Sequence, residues 1–332
     1  MSIIEWTEKT WNPIVGCSKV SPGCDNCYAE RMAIRLAHIP GATGDQYSDV
    51  IGSNMMGGYH WDGKTALVES ALTKPLHWKK PRMIFVCSMG DLFHESVPFE
   101  WIDKVFAVMA LCPQHTFQVL TKRPARMLEY FEMLRTNDSC FICLQRQASR
   151  ISKSHAPKLY NNAPVSNWPL PNVWLGVTAE DQQRADERIP DLLKCPAAKR
   201  FISVEPILGA VDLAYTCFNG SDSFGTMPGI DWVICGGESG PGARPMHPDW
   251  ARSLRGQCDE AGVAFFFKQW GEWFPRDQWE HNPELILPDD NGYATDSKTI
   301  ILDGHCPMHR VGKKKAGRLL DGVKYNEYPT KS

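Results

Sequence analysis

The chain has 332 residues, of which 43% are hydrophobic and 22% charged, with a formal net charge of -2. These values exclude a wholly disordered chain and a polybasic protein that coats nucleic acid, while leaving room for a local basic patch. No run of eighteen apolar residues occurs and the first residues contain an early charge without an apolar core, so neither a membrane span nor a signal peptide is read, and a cytoplasmic location is expected.

Short apolar runs rich in β-branched and aromatic residues recur along the chain and predict strands. They are 14–16 (weak), 83–88, 117–121, 173–178, 200–204, 232–236 and 263–268. Helix-like segments lie between most of them, at 25–37, 99–111, 124–134, 181–193 and 248–261, several opening with a proline or an acid as a first helical turn prefers. Continuous apolar strands alternating with helices predict a parallel sheet, and the spacing of roughly 30 residues is that of a βαβ unit. The expected fold is α/β, a partial TIM-like (β/α) barrel of six or seven units with insertions. An open doubly wound sheet is the alternative, without the G-x-G-x-x-G turn that would favour it. The barrel is expected over 1–271, interrupted by 38–80, which contains Gly57-Gly-Tyr-His-Trp-Asp-Gly63 as a hairpin turn, and by the polar stretch 137–170. From Ser139 that stretch has no acid and contains Arg146, Arg150, Lys153 and Lys158. An irregular basic extension over 272–332 is expected to pack on the barrel; it contains the acid-free run His305 to Arg318.

Twelve cysteines in a reducing compartment are packing residues, metal ligands or catalysts rather than disulfides. Cys87 and Cys235 lie inside apolar runs and read as buried strand residues. Cys140 and Cys143, and the group His305, Cys306 and His309, have ligand-like spacing but no matching half-site, and read as packing or loop residues. The informative segment is Trp11-Asn-Pro-Ile-Val-Gly-Cys17-Ser-Lys-Val-Ser-Pro-Gly-Cys24-Asp-Asn-Cys27-Tyr-Ala-Glu-Arg31, with three cysteines in the pattern C-x6-C-x2-C. Ser21, Pro22 and Gly23 let the loop curl back, and thiolates select soft metals, so zinc or an iron–sulfur cluster is expected at Cys17, Cys24 and Cys27. A structural zinc wants a fourth ligand. A [4Fe–4S] cluster held by three cysteines keeps one iron open to a substrate or cofactor.

Three cysteines after the first strand of a partial barrel resemble the radical S-adenosylmethionine superfamily. More closely, W-N-P-x-x-G-C, S-P-G-C-x-x-C-Y-A-E-R, F-V-C-S-M-G-D-L-F-H-E, L-T-K-R-P, N-V-W-L-G-V-T-A-E-D, S-V-E-P and C-G-G-E-S-G resemble an uncharacterised three-cysteine family of phages and bacteria. The resemblance implies that the cluster binds S-adenosylmethionine at its open iron. An external electron donor would reduce it, and a 5′-deoxyadenosyl radical would abstract hydrogen from a substrate. The spacing differs from the superfamily's commonest C-x3-C-x2-C, and Asn26 stands where an aromatic usually precedes the last cysteine, so Tyr28 becomes the candidate for adenine stacking. The loop after the second strand in that superfamily contacts the methionine amino group, which points to Met89 and Asp91.

Polar residues at the ends of apolar strands complete the candidate site. Thr178 ends one strand, Ser203 and Glu205 another, and Glu238 follows a glycine pair after the next; these are expected to bind the cofactor. Asp91 and Glu238 also suit plain roles as a turn cap and a member of a tight strand-to-helix turn. Glu205, fixed by the proline that follows it, and Lys268, a charge closing an apolar run, are the expected catalytic residues. Thr121-Lys122-Arg123 places a cation where a carboxylate or phosphate could meet it. The substrate expected is a nucleotide or DNA base, from the basic runs and the phage setting. The rival readings are a non-catalytic iron–sulfur or zinc protein, structural or sensing, and a nucleic-acid-binding phage protein.

Overall fold

The computed structural model describes residues 4–55, 57–155, 168–217, 227–281, 299–303 and 305–330. The chain falls into two compact units, one of 1–20, 27–177 and 191–200, the other of 21–26, 178–190 and 201–332. Lys158 and the remainder of 156–167 lie outside the described residues.

The first unit opens with β1 (Lys9–Trp11) and β2 (Ile14–Val15), followed by α1 (Tyr28–Ala37) and α2 (Ala42–Ser48). The weak apolar run at 14–16 is not the first sheet strand. β1 takes that place and pairs in parallel with β6 (Met83–Val86), Trp11 opposite Val86. Its sequence, Lys-Thr-Trp, hides it, because an edge strand buries only Trp11 and needs no apolar run. The segment 38–80 contains β3 (Ile51–Ser53), β4 (Tyr59–Trp61), β5 (Ala66–Leu67) and α3 (Glu69–Leu72). β3 and β4 pair antiparallel, with Gly58 N–H donating to Asn54 Oδ1 at 2.8 Å beyond the end of β3, so Tyr59-His-Trp61 is strand rather than turn. β5 pairs antiparallel with β2. Then come α4 (Phe99–Ala110), β7 (Thr116–Thr121), α5 (Pro124–Thr136), α6 (Asp138–His155) and β8 (Val173–Thr178). The polar stretch after 137 therefore contains an eighteen-residue helix. Leu144, Ala148 and Ile151, spaced four and three apart, are buried as α6 packs on α4 and α5.

The second unit contains most of α7 (Gln182–Lys194) and of β9 (Lys199–Val204), then α8 (Leu213–Cys217), β10 (Trp232–Gly236), α9 (Pro248–Ala261) and β11 (Ala264–Gln269). The segment from 272, expected to be irregular, forms a three-stranded antiparallel sheet of β12 (Trp273–Pro275), β13 (Thr299–Leu302) and β14 (Cys306–Arg310), followed by the short α10 (Lys313–Ala316). Its last residues run antiparallel to β11, with Glu327 N–H donating to the Phe265 carbonyl at 3.2 Å and Tyr325 accepting from Phe267 N–H at 3.2 Å. The outer edge of β11 is thereby covered. Asp321 pins this segment by accepting from Arg252, Arg255 and Gln278.

The main sheet is parallel throughout and seven-stranded, in the order β1-β6-β7-β8-β9-β10-β11. The fold is mixed α/β, compatible with a TIM-like or a Rossmann-like arrangement, and each successive strand adds to the same edge. No helix among the described residues is long and apolar enough to cross a membrane.

Candidate functional site

Buried polar side chains gather at the carboxyl ends of the parallel strands, where α/β proteins build their sites. In the first unit, Gly16 places Cys17. Its φ is +93°, and a Cβ there would stand 2.2 Å from the Lys64 carbonyl, so only glycine fits. Gly16 N–H donates to the Met89 carbonyl at 3.1 Å, joining the turn after β2 to the loop after β6. Met89 N–H donates in turn to Asn12 Oδ1 at 3.2 Å, so the Met89 backbone is held by protein partners. Asp91 is 6% exposed and accepts from Thr121 Oγ1 at 2.7 Å, Phe93 N at 3.0 Å, Lys122 N at 3.1 Å and Arg123 Nη1 at 3.2 Å. It is a fastener between two strand-end loops, a larger role than a turn cap. The Tyr28 hydroxyl donates to the Ser88 carbonyl at 2.8 Å while the residue as a whole is 46% exposed, so an exposed aromatic is tethered at its tip.

Arg123 completes this cluster. It is as buried as Asp91, and its guanidinium reaches Glu95, Asp91, Ser18 and the sulfur of Cys17. His94, 3% exposed, shares a hydrogen bond with Ser18 Oγ at 2.9 Å. Burial and the nearby Arg123 cation hold its pKa below the usual histidine value, which favours neutral imidazole. Burial, with the Asp91 charge, pushes the Cys17 thiol up to about 12, so the metal-free side chain is a thiol near neutral pH.

In the second unit, Glu180 is fully buried. It accepts from Arg188 Nη1 at 2.9 Å, from Gly23 N at 3.3 Å and from the Ser21 hydroxyl. Arg188 Nη1 also donates to the Thr178 carbonyl at 2.8 Å. Glu238 accepts from Asn26 Nδ2 at 3.0 Å and from Arg244 through N, Nε and Nη2 at 2.8, 2.9 and 2.7 Å. Burial opposes its charge, but the hydrogen bonds from Arg244 and Asn26 outweigh that and hold the carboxyl below the usual range. Arg244 further donates to the Pro22 carbonyl at 2.8 Å. Glu180 and Glu238 thus anchor the middle of the cysteine loop.

The two residues expected to be catalytic come together. Lys268 Nζ stands 3.2 Å from Glu205 Oε1, and Ser203 Oγ donates to Glu205 Oε2 at 3.2 Å. Their side chains are 19% and 12% exposed. Gly236, on the strand between them, makes the space: a Cβ there would lie 2.7 Å from Glu205 Oε1. A charge pair reached by solvent at the ends of three neighbouring strands can hold a polar ligand or shuttle a proton.

The donor set of the cysteine loop suits a soft metal or an iron–sulfur cluster, and all three thiols are free. Cys17 and Cys27 pack against one apolar cluster that includes Val15, Ala29 and Met89. Cys24 ends a 3-10 turn, with its sulfur 3.8 Å from Ser21 Oγ. Among the described residues no three His, Cys, Asp or Glu side chains stand together as a ligand group, so the three sulfurs are not displayed as a preformed metal site. Cys143 is exposed, and His309 and Cys306 lie on β14.

A family model described as a protein of unknown function (DUF5131) matches residues 1–329. The chain belongs to this family. No curated protein and no solved structure matches it. The family's match spans every motif used above, the cysteine loop and the strand ends included.

Sequence reasoning missed Ser18, His94, Asn26, Arg188 and Arg244. Ser18, His94 and Asn26 find their partners far off in the chain, 212 residues away for Asn26 and Glu238, whereas Arg188 and Arg244 pair with glutamates only eight and six residues before them, at spacings that mark no motif. Arg123 was legible as a cation at a strand end, but not as a neighbour of Cys17.

Proposed function

We propose that this chain is a radical S-adenosylmethionine-like enzyme on a partial (β/α) barrel, with Cys17, Cys24 and Cys27 holding a [4Fe–4S] cluster. The observation that carries the reading is a loop of three free thiols anchored by buried charged side chains from the carboxyl ends of parallel strands. Because no preformed three-ligand set is displayed, the reading requires the cluster to gather the thiols itself, as metal binding and ligand ordering are coupled. When bound, the group would supply one electron from an external donor to cleave S-adenosylmethionine, leading to hydrogen abstraction from the substrate.

The protein's own residues bind, orient and exclude water. The exposed Tyr28, tethered through its hydroxyl, offers its ring to adenine for stacking. The Glu205–Lys268 pair with Ser203 offers an acceptor and a donor to ribose hydroxyls or to a polar substrate group. The Met89 and Asp91 loop is rigid through Asn12, Thr121 and Arg123, so its role is to hold the shape of the site rather than to release a side chain to the cofactor. The substrate proposed is a nucleotide or DNA base, on the charge of the acid-free stretch after Ser139, where α6 exposes Arg146 and Arg150.

Anaerobic purification with iron and sulfide tests the reading. A brown protein with matched iron and acid-labile sulfide, releasing 5′-deoxyadenosine when reduced with S-adenosylmethionine, is the expected result. Stoichiometric zinc without iron, or a loaded cluster that never cleaves S-adenosylmethionine, overturns it.

A further inference from the structure

The Arg123 guanidinium has five N–H donors, and each side of it is engaged. Nε donates to both oxygens of Glu95 at 2.9 Å, and Nη2 to the Ser18 carbonyl at 3.1 Å and hydroxyl at 2.8 Å. Nη1 donates to Asp91 at 3.2 Å and points a further donor at Cys17 Sγ, 3.6 Å away. Burying such a cation is costly, and the two carboxylates offset that cost. Holding the loops together does not require the sulfur contact, since Arg123 Nη2 already grips Ser18, Gly16 N–H donates to the Met89 carbonyl, and Asp91 joins the loops after β6 and β7 through Thr121 and Lys122. An N–H aimed at a sulfur gains most when that sulfur is an anion, because charge-assisted hydrogen bonds are about twice as strong as neutral ones.

Resting on the reading that Cys17 is a cluster ligand, we propose that Arg123 is a positioning residue that hydrogen-bonds the ligated Cys17 sulfur and raises the cluster's reduction potential. Hydrogen bonds to ligand sulfurs stabilise the more negative, reduced state, and partners outside the ligand set orient the ligands. Ser18 and His94 support the geometry: Ser18 follows Cys17 directly, and its hydroxyl sits between Arg123 Nη2 and His94 Nε2. The site thus has a lever on electron affinity that lies outside the three cysteines.

The test compares the full chain with Arg123→Met and Arg123→Lys after anaerobic reconstitution, reading iron content, circular dichroism and the midpoint potential of the cluster's electron paramagnetic resonance signal. Arg123→Met is expected to make reduction about tenfold less favourable, a fall of about 59 mV for one electron. Arg123→Lys, which keeps the charge and loses the fork, is expected to fall less. A folded Arg123→Met chain that loads iron poorly also supports the positioning role. An Arg123→Met chain with full iron and an unchanged potential overturns the proposal and leaves the cluster reading standing. Wild-type chain that takes up no iron overturns both. If Arg123→Met does not fold, Arg123→Lys decides alone: an unchanged potential overturns the proposal and a lowered one supports it.

Discussion

Glu180 shows how far the cysteine loop depends on the strand ends. Its carboxylate is fully buried and serves Arg188, Gly23 and Ser21 together. In Glu180→Ala the Arg188 side chain, 6% exposed, keeps the Thr178 carbonyl but loses its counter-charge. Removing one partner of a buried pair costs about 3–5 kcal/mol, because a desolvated charge is left uncompensated. Two loop donors are freed as well, so the cost should lie at the upper end of that range. Arg188→Met should cost a similar amount. Glu180→Ala with Arg188→Met together should cost clearly less than the sum of the two single changes, since no unpaired charge remains. Urea denaturation followed by tryptophan fluorescence reads all three. Alkylation of Cys24 should also speed up in Glu180→Ala below the unfolding transition, as its turn is released from Gly23 and Ser21. A single change costing less than about 1 kcal/mol, or strict additivity of the pair, refutes the reasoning.

Three further outcomes follow from the same physics. Burial raises Asp103 to about 6, although the Tyr130 hydroxyl donates to it. A carboxyl raised above its unfolded value binds protons more tightly when folded, so stability should fall as pH rises from about 4 through about 6, and Asp103→Asn should remove that slope in denaturation measured across this window. Asp321 is lowered to about 2, chiefly by hydrogen bonds from Arg252. Its contribution is present above about pH 4 and lost as pH falls toward 2, so Asp321→Asn should flatten the acid limb of the stability curve and expose the C-terminal segment to proteolysis at neutral pH. Gly16→Ala meets both a positive φ and the Lys64 carbonyl. It should cost at least about 2 kcal/mol and lower any metal uptake at Cys17, whereas Gly41→Ala, where a Cβ meets nothing, should cost only its backbone strain, about 1 kcal/mol.

The parallel strands were legible where both faces are buried, because burial on two sides leaves a continuous apolar run, as at Val173–Thr178 and Trp232–Gly236. β1 was not legible, since an edge strand with two exposed residues leaves no such run. α6 was hidden by its polar composition, although Leu144, Ala148 and Ile151 have helical spacing. At the site, the position of a polar residue at a strand end proved readable, and its partner did not. Glu205 and Lys268 were selected separately and lie 3.2 Å apart. Asp91 and Glu238 were selected as ligand-binding residues, yet their oxygens are taken up by the protein's own donors. Partner choice is set by strand register and loop path, and neither is written in a local motif.

The most direct test of the central claim is an iron and acid-labile sulfide determination on the anaerobically reconstituted chain, beside a variant with Cys17, Cys24 and Cys27 all replaced by alanine, each then reduced with S-adenosylmethionine and assayed for 5′-deoxyadenosine. About four irons and four sulfides per wild-type chain with release of the nucleoside, and neither in the variant, is the result expected of a [4Fe–4S] site. Equal iron in both proteins, or a wild-type chain that binds none, contradicts it.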